Sequence, residues 1–213
     1  MTVSDYITAR QIDEVVHFTS SHGCLGTLYT QMLQSRQRLE GDPMVEYLFK
    51  PNAALRKDPK FLDYVSLSVS HINTQFYNTS SSSWHRDEPI FWCVLSFTPT
   101  ILTDQGVIFT TTNNIYTGVQ RAEGPRGLAA LYADRIIQWT SKIVHRKIGT
   151  PANHTTCFQA EVLYPTAVST KSLQRIYVQT QEHQNEIVGF LKATFHHNVE
   201  VLVEPKKFLD RVP

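Results

Sequence analysis

Strict alternation runs through Tyr64-Val65-Ser66-Leu67-Ser68-Val69-Ser70, with three aliphatic residues on one side and serines on the other, and predicts a strand with one wet face. A short apolar run, Val15-Val16-His17-Phe18, predicts an earlier strand. Leu25, Leu28, Tyr29, Met32 and Leu33 then recur at helical spacing, with Ser20 and Ser21 upstream as caps. A second helix is expected from about Pro43 to Leu55, ending on Arg56 and Lys57. Thr79 to Ser83 read as a Ser/Thr loop leading to Trp84-His85-Arg86, followed by strands over Ile90 to Phe97 and Val107 to Thr110. The pattern predicts a helix over about Gly127 to Ile137 and then a segment without period, Thr140 to Thr156. Strands over Cys157 to Leu163, Leu173 to Gln179 and Val199 to Val203, with a helix over about Gln181 to Phe195, complete the chain. No repeat, linker or composition break divides it, so residues 1–213 are expected to form a single mixed α+β domain.

Composition narrows the classes without choosing among them. The 213 residues suffice for one substantial domain with a real core. Twenty Lys and Arg against 19 Asp and Glu leave a net charge of +1, so a nucleic-acid contact must come from a local patch. The first ten residues lack the apolar centre of a secretory signal, and no uncharged run approaches the roughly 18 residues of a membrane span. A cytoplasmic protein without a membrane partner is the expectation. Cys24, Cys93 and Cys157 are odd in number and scattered, which argues against a disulfide framework and a zinc site. The nine histidines form no ligand set, and His196-His197 has no third partner at metal spacing, so no metal is expected. Gly-rich phosphate loops and the G-x-S-x-G elbow are absent from the sequence.

One residue stands out chemically. Glu161 is a single carboxylate inside the otherwise uncharged run Cys157-Phe158-Gln159-Ala160-Glu161-Val162-Leu163-Tyr164. A carboxylate there pays for desolvation unless a polar cleft or positive partner receives it. The plain alternative is an outward-facing strand position shared with Gln159 and Leu163.

Four pieces fall in order along the chain: His17-Phe18-Thr19, Arg56, the serine face of Tyr64 to Ser70, and Gln159-Ala160-Glu161. In that order they resemble the DarT group of DNA ADP-ribosyltransferase toxins, roughly from Val15 to Val203. The resemblance implies the ADP-ribosyltransferase fold, a split mixed or antiparallel sheet with flanking helices, and NAD as co-substrate. It implies transfer of ADP-ribose to a base of single-stranded DNA with nicotinamide release, and a cognate antitoxin carrying a macrodomain. Glu161 then matches the glutamate that orients the ribose and helps take a proton from the attacking base. Arg56 matches the arginine that contacts the NAD phosphates and is needed for activity, a second catalytic residue beside Glu161, with Lys57 or a simple helix-end charge as alternatives.

The resemblance further places His17 and Thr19 against NAD hydroxyls, and Tyr64, Ser66 and Ser68 in the nicotinamide pocket. Lys142, His145, Arg146 and Lys147 precede Glu161 where the superfamily recognises its acceptor, and suit DNA phosphates. Trp84 suits base stacking, or the core. The thymine-modifying branch typically has an Arg-Ser-Pro-Met-like turn after the serine strand. This chain has Ser66-Leu67-Ser68-Val69-Ser70-His71, which favours guanine. Transfer to thymine, RNA or protein, and a non-catalytic nucleotide-binding module, are the competing readings.

Overall fold

The computed structural model describes residues 1–39, 59–139 and 142–210. Helix α1 (Val3–Ala9) opens with a reciprocal capping box between Thr2 and Asp5 and leads to β1 (Val15–Ser20). The Ser20 hydroxyl accepts the Gly23 amide at 3.2 Å and so starts α2 (Ser21–Thr30). Gln31 is left-handed at φ 56° and ends that helix. Met32 and Leu33, expected on the helix, therefore belong to β2 (Met32–Gln34), which precedes α3 (Arg36–Leu39). The expected helix from Pro43 to Leu55, with Arg56 and Lys57 at its end, lies outside the described residues.

The alternating segment forms β3 (Tyr64–Val69), with Val65, Leu67 and Val69 buried and the residues between them half-exposed. Thr79 to Ser83 are helical rather than a loop. Asn73 caps α4 (Thr74–Thr79), which runs on into a π-helical turn over Ser80–Trp84. Burial of Tyr77 and Ser80 and the bond from Thr79 Oγ1 to the Gln75 carbonyl at 2.9 Å oppose the local loop preference of serine and threonine.

Next come β4 (Trp92–Phe97), buried along its whole length, β5 (Ile108–Thr110), β6 (Arg121–Glu123) and α5 (Gly124–Ala130). The expected helix to Ile137 stops at α5. Ile136 is buried and Ile137 exposed because they alternate in β7 (Arg135–Trp139), which pairs with β8 (Lys142–His145) inside the segment read as aperiodic. The chain closes with β9 (Glu161–Pro165), β10 (Ala167–Ser169), β11 (Leu173–Val178), α6 (Gln181–Ala193) and β12 (Glu200–Val203). Cys157 to Ala160, expected to begin β9, form a turn closed by the Ala160 amide on the Cys157 carbonyl at 3.0 Å.

Among the described residues, eight strands make one mixed sheet in the order β12-β11-β4-β1-β3-β9-β5-β6, in which only β11 and β12 pair in parallel. Six residues of β1 pair with β4, whereas only Val15↔Val69 and Val16↔Ser68 join β1 to β3. The sheet is thus two halves held at a short seam, in agreement with the expected split architecture. A main apolar core gathers Val15, Leu28, Leu67, Leu95, Phe109, Val162 and Ile187. A smaller one joins Val16, Ile72, Tyr77, Trp92, Tyr177 and Phe208. Phe18 lies edge-on to Phe76 and Tyr77, which fixes α4 beside β1.

Candidate active site

The cleft starts where β1 and β3 part. Beyond Val16↔Ser68 the Ser66 carbonyl is met by the His17 ring, whose Nδ1 lies 2.9 Å away. A carbonyl only accepts, so Nδ1 carries the proton and Nε2 of the neutral ring is an acceptor. Thr19 follows two residues on, on the same side of β1. Its side chain occupies the space above Gly23, where a Cβ would collide with Thr19 Oγ1.

Between the sheet halves lies a cleft of about 970 Å³, counted out to its open mouth. Its lining brings together His17, Thr19, Tyr64, Ser66, Ser68 and Glu161, six residues singled out from the sequence. Leu33, Phe76 and Trp92 give it apolar wall, and Arg36 is the one cationic side chain among the described residues lining it. Arg36 was missed in the sequence because α3, at four residues, is too short for periodicity to show. Arg56 is not among the described residues.

Glu161 is the first residue of β9 and only 7% exposed. Its Oε2 accepts the Asn114 amide at 2.9 Å, and Thr110, its partner on β5, donates to its carbonyl at 3.3 Å. The buried carboxylate therefore sits at a strand end, facing a cleft, rather than in mid-strand. The turn before it is fixed by Gln159, which receives Gln138 Nε2 on Oε1 and donates to Gln75 Oε1 at 2.9 Å. One amide thus joins β7, α4 and the approach to Glu161. Asn114, Gln138 and Gln75 give no signal in the sequence, since an amide's role depends on distant partners.

The residues expected at nucleic acid lie differently. Lys142 rests over the Trp139 ring at 4.6 Å, and Trp139 meets Tyr116 edge-on at 5.4 Å. His145 and Lys147 are exposed. Arg146 closes its own loop, donating to the carbonyls of His154 at 2.7 Å and Pro151 at 2.9 Å. Burial, and then the Arg10 charge, push its guanidinium below the usual arginine range. Trp84 packs edge-on against Phe76 at 5.7 Å, behind the cleft wall. Among the described residues no group of His, Cys, Asp or Glu could hold a metal, and no helix is long and apolar enough to cross a membrane.

Residues 16–209 match the model of the family described as "DarT: ssDNA thymidine ADP-ribosyltransferase, DarT". Among solved structures, the chain is similar to "Thermus sp. 2.9 DarT in complex with carba-NAD+" at 15% identity and TM-score 0.63, covering 93% of this chain and 99% of that one. It is similar to "Thermus sp. 2.9 DarT in complex with ADP-ribosylated ssDNA" at 16% identity and TM-score 0.61, covering 93% and 97%. For "Thermosipho africanus DarTG in complex with ADP-ribose" the values are 14% and 0.60, covering 92% of this chain and 51% of that one. At these identities the likeness shows the fold. Comparison with curated proteins yields no match.

Proposed function

The chain belongs to the DarT family, and from that premise we propose that it transfers ADP-ribose from NAD to a base of single-stranded DNA, releasing nicotinamide. The observation that carries this reading is the meeting of His17, Thr19, Tyr64, Ser66, Ser68 and Glu161 in one cleft, from three separated stretches of chain. The Thermus relatives of like fold hold carba-NAD+ and ADP-ribosylated single-stranded DNA, which agrees with both halves of the reaction. One ADP-ribosyltransferase domain accounts for the whole reading.

In this mechanism the bond between nicotinamide nitrogen and the anomeric carbon breaks first. Its electron pair returns to the ring, and nicotinamide leaves neutral. The ribose acquires oxocarbenium character, which the fixed Glu161 carboxylate stabilises. A base nitrogen then bonds the anomeric carbon and gives its proton to Glu161, which passes it to water. Burial of the carboxylate strengthens its field at that carbon, and the Asn114 amide holds it in orientation. His17 Nε2, fixed as acceptor by the Ser66 carbonyl, takes a hydroxyl of NAD, and Thr19 lies beside it. Tyr64 stacks on nicotinamide while Ser66 and Ser68 meet its carboxamide or ribose. Arg36, with Arg56, supplies positive charge for the phosphates.

For the base we propose guanine, on the sequence Ser66-Leu67-Ser68-Val69-Ser70-His71, although the family description names thymidine. An exposed surface of Lys142, His145 and Lys147 before Glu161 suits the DNA backbone, with Arg146 closing the loop that follows His145 and Trp84 packed on Phe76 of the cleft wall. We also propose a cognate antitoxin carrying a macrodomain and a cytoplasmic setting; the chain spans about half the length of the DarTG relative.

Incubating the chain with labelled NAD and separate pools of DNA, RNA and protein tests the reaction, and mass analysis of digested nucleosides identifies the base. Label on single-stranded DNA, as ADP-ribosyl-guanosine, and its loss in Glu161→Ala are expected. Label only on RNA or protein would move the acceptor. Ligand binding without nicotinamide release would make the chain a binding module.

A further inference from the structure

Between β5 and β6 the chain makes an excursion whose contacts end on Glu161. Arg121, the first residue of β6, donates from Nε to Asn114 Oδ1 and from Nη2 to the Asn114 carbonyl, each at 2.6 Å. The amide of that same asparagine donates to Glu161 Oε2 at 2.9 Å. Sheet register brings the ends together, since Arg121 pairs with Thr110 and Thr110 pairs with Glu161 across three neighbouring strands. Asn114 therefore meets a cation on its carbonyl side and an anion on its amide side, and both sets of bonds are charge-assisted.

The base of the excursion has its own anchors. Thr110 Oγ1 donates to the Thr112 carbonyl at 2.9 Å, and Cys157 Sγ reaches Thr112 Oγ1 at 3.4 Å. Arg121 acts further out, on the residue that touches the carboxylate. Its guanidinium also lies over the Phe61 ring at 5.4 Å, and Phe61 meets Tyr64 edge-on at 5.6 Å. Tyr64 lines the cleft. One exposed side chain thus braces supports of two cleft walls.

We propose that Arg121 is a positioning residue for the transfer reaction, holding the Glu161 carboxylate through Asn114 and the Tyr64 ring through Phe61 without touching substrate. The proposal rests on the reading of Glu161 as the catalytic carboxylate. A fork that makes two bonds to one residue is a geometric constraint that lysine does not reproduce. Losing it frees Asn114 to drift, and a carboxylate displaced by an ångström loses rate steeply.

The test combines a carboxyl-carbon NMR titration of Glu161, assigned with Glu161→Gln, with steady-state nicotinamide release in wild type, Arg121→Ala and Arg121→Lys. Removing the cation and loosening the amide donor raises the Glu161 midpoint. The expected result is a higher midpoint in Arg121→Ala, an intermediate one in Arg121→Lys, and kcat lower by roughly 10-fold in the alanine variant with the KM for NAD within about 2-fold. An unchanged midpoint, or loss confined to thermal stability with kcat preserved, would overturn the proposal. Full activity in Glu161→Gln would overturn the catalytic reading itself and this role with it. That failure is distinguishable, because the Arg121 variants would still move the Glu161 titration.

Discussion

His17 Nδ1 lies 2.9 Å from the Ser66 carbonyl oxygen, just beyond the last backbone pair between β1 and β3. A side chain has taken the place of a ladder amide, and the strands can part without leaving that carbonyl bare. His17→Ala is expected to cost about 1 kcal/mol, read as a lower urea midpoint, and to weaken NAD binding by roughly 10-fold in calorimetry. His17→Phe should restore part of the stability and none of the binding. NAD affinity equal to wild type in both variants would remove His17 from the binding site.

Arg36 begins α3 and lines the same cleft as Glu161. A guanidinium on a diphosphate exchanges strong, charge-assisted bonds, and losing one such contact weakens binding by roughly 10-fold. Arg36→Ala should therefore bind NAD and ADP-ribose more weakly by similar factors, while nicotinamide affinity stays unchanged. Equal loss for all three ligands would show a collapsed cleft instead of a missing phosphate contact.

What could be read from the chain alone followed the reach of each interaction. β3 was legible because its alternation is local, and Glu161 because a lone carboxylate in an apolar run is costly wherever the strand begins. The start of β9 was misplaced by four residues because Thr155 Oγ1 donates to the Cys157 carbonyl at 2.8 Å, closing a turn that periodicity does not reveal. The same holds for β7, where Ile136 and Ile137 fit a helix until β8 supplies a partner. Arg121, Asn114 and Gln159 acquire their roles only through neighbours 7 to 84 positions away. A charged loop before Glu161 suggested phosphate contacts, yet Arg146 spends its fork on backbone carbonyls.

Gly23 shows how tightly Thr19 is held. A methyl group there would overlap Thr19 Oγ1, so Gly23→Ala must turn the threonine away or shift the first turn of α2. Overpacking of this kind costs about 1–3 kcal/mol. The expected outcome is a lower melting temperature together with weaker NAD binding. The double variant Gly23→Ala/Thr19→Ser, which removes the methyl but keeps the hydroxyl, should recover less than Gly23→Ala/Thr19→Ala, because the collision is with oxygen. Equal recovery in the two would place the clash elsewhere.

Alkaline stability reports a second buried carboxylate, outside the cleft. Glu14 is 2% exposed and accepts Ser96 Oγ at 2.6 Å, Tyr177 Oη at 2.9 Å and the Lys207 ammonium. Burial first, then the Glu14 charge and hydrogen bond, push the Tyr177 hydroxyl from 10.0 up to about 12. The folded protein thus holds this proton more tightly than the unfolded chain. The stabilisation is complete below about pH 10 and is lost as pH rises through about 12. Tyr164, half-buried and donating to Asp104 at 2.6 Å, is raised to about 12, by burial first and then by that bond, and acts in the same direction. Tyr177→Phe should be less stable than wild type near pH 8 by about 1 kcal/mol, since Glu14 loses a donor. Its deficit should shrink between pH 10 and 12, where wild type gives up a contribution that phenylalanine never had. Urea midpoints of both proteins across that range provide the measurement, and parallel curves would show that Tyr177 does not titrate as its contacts require.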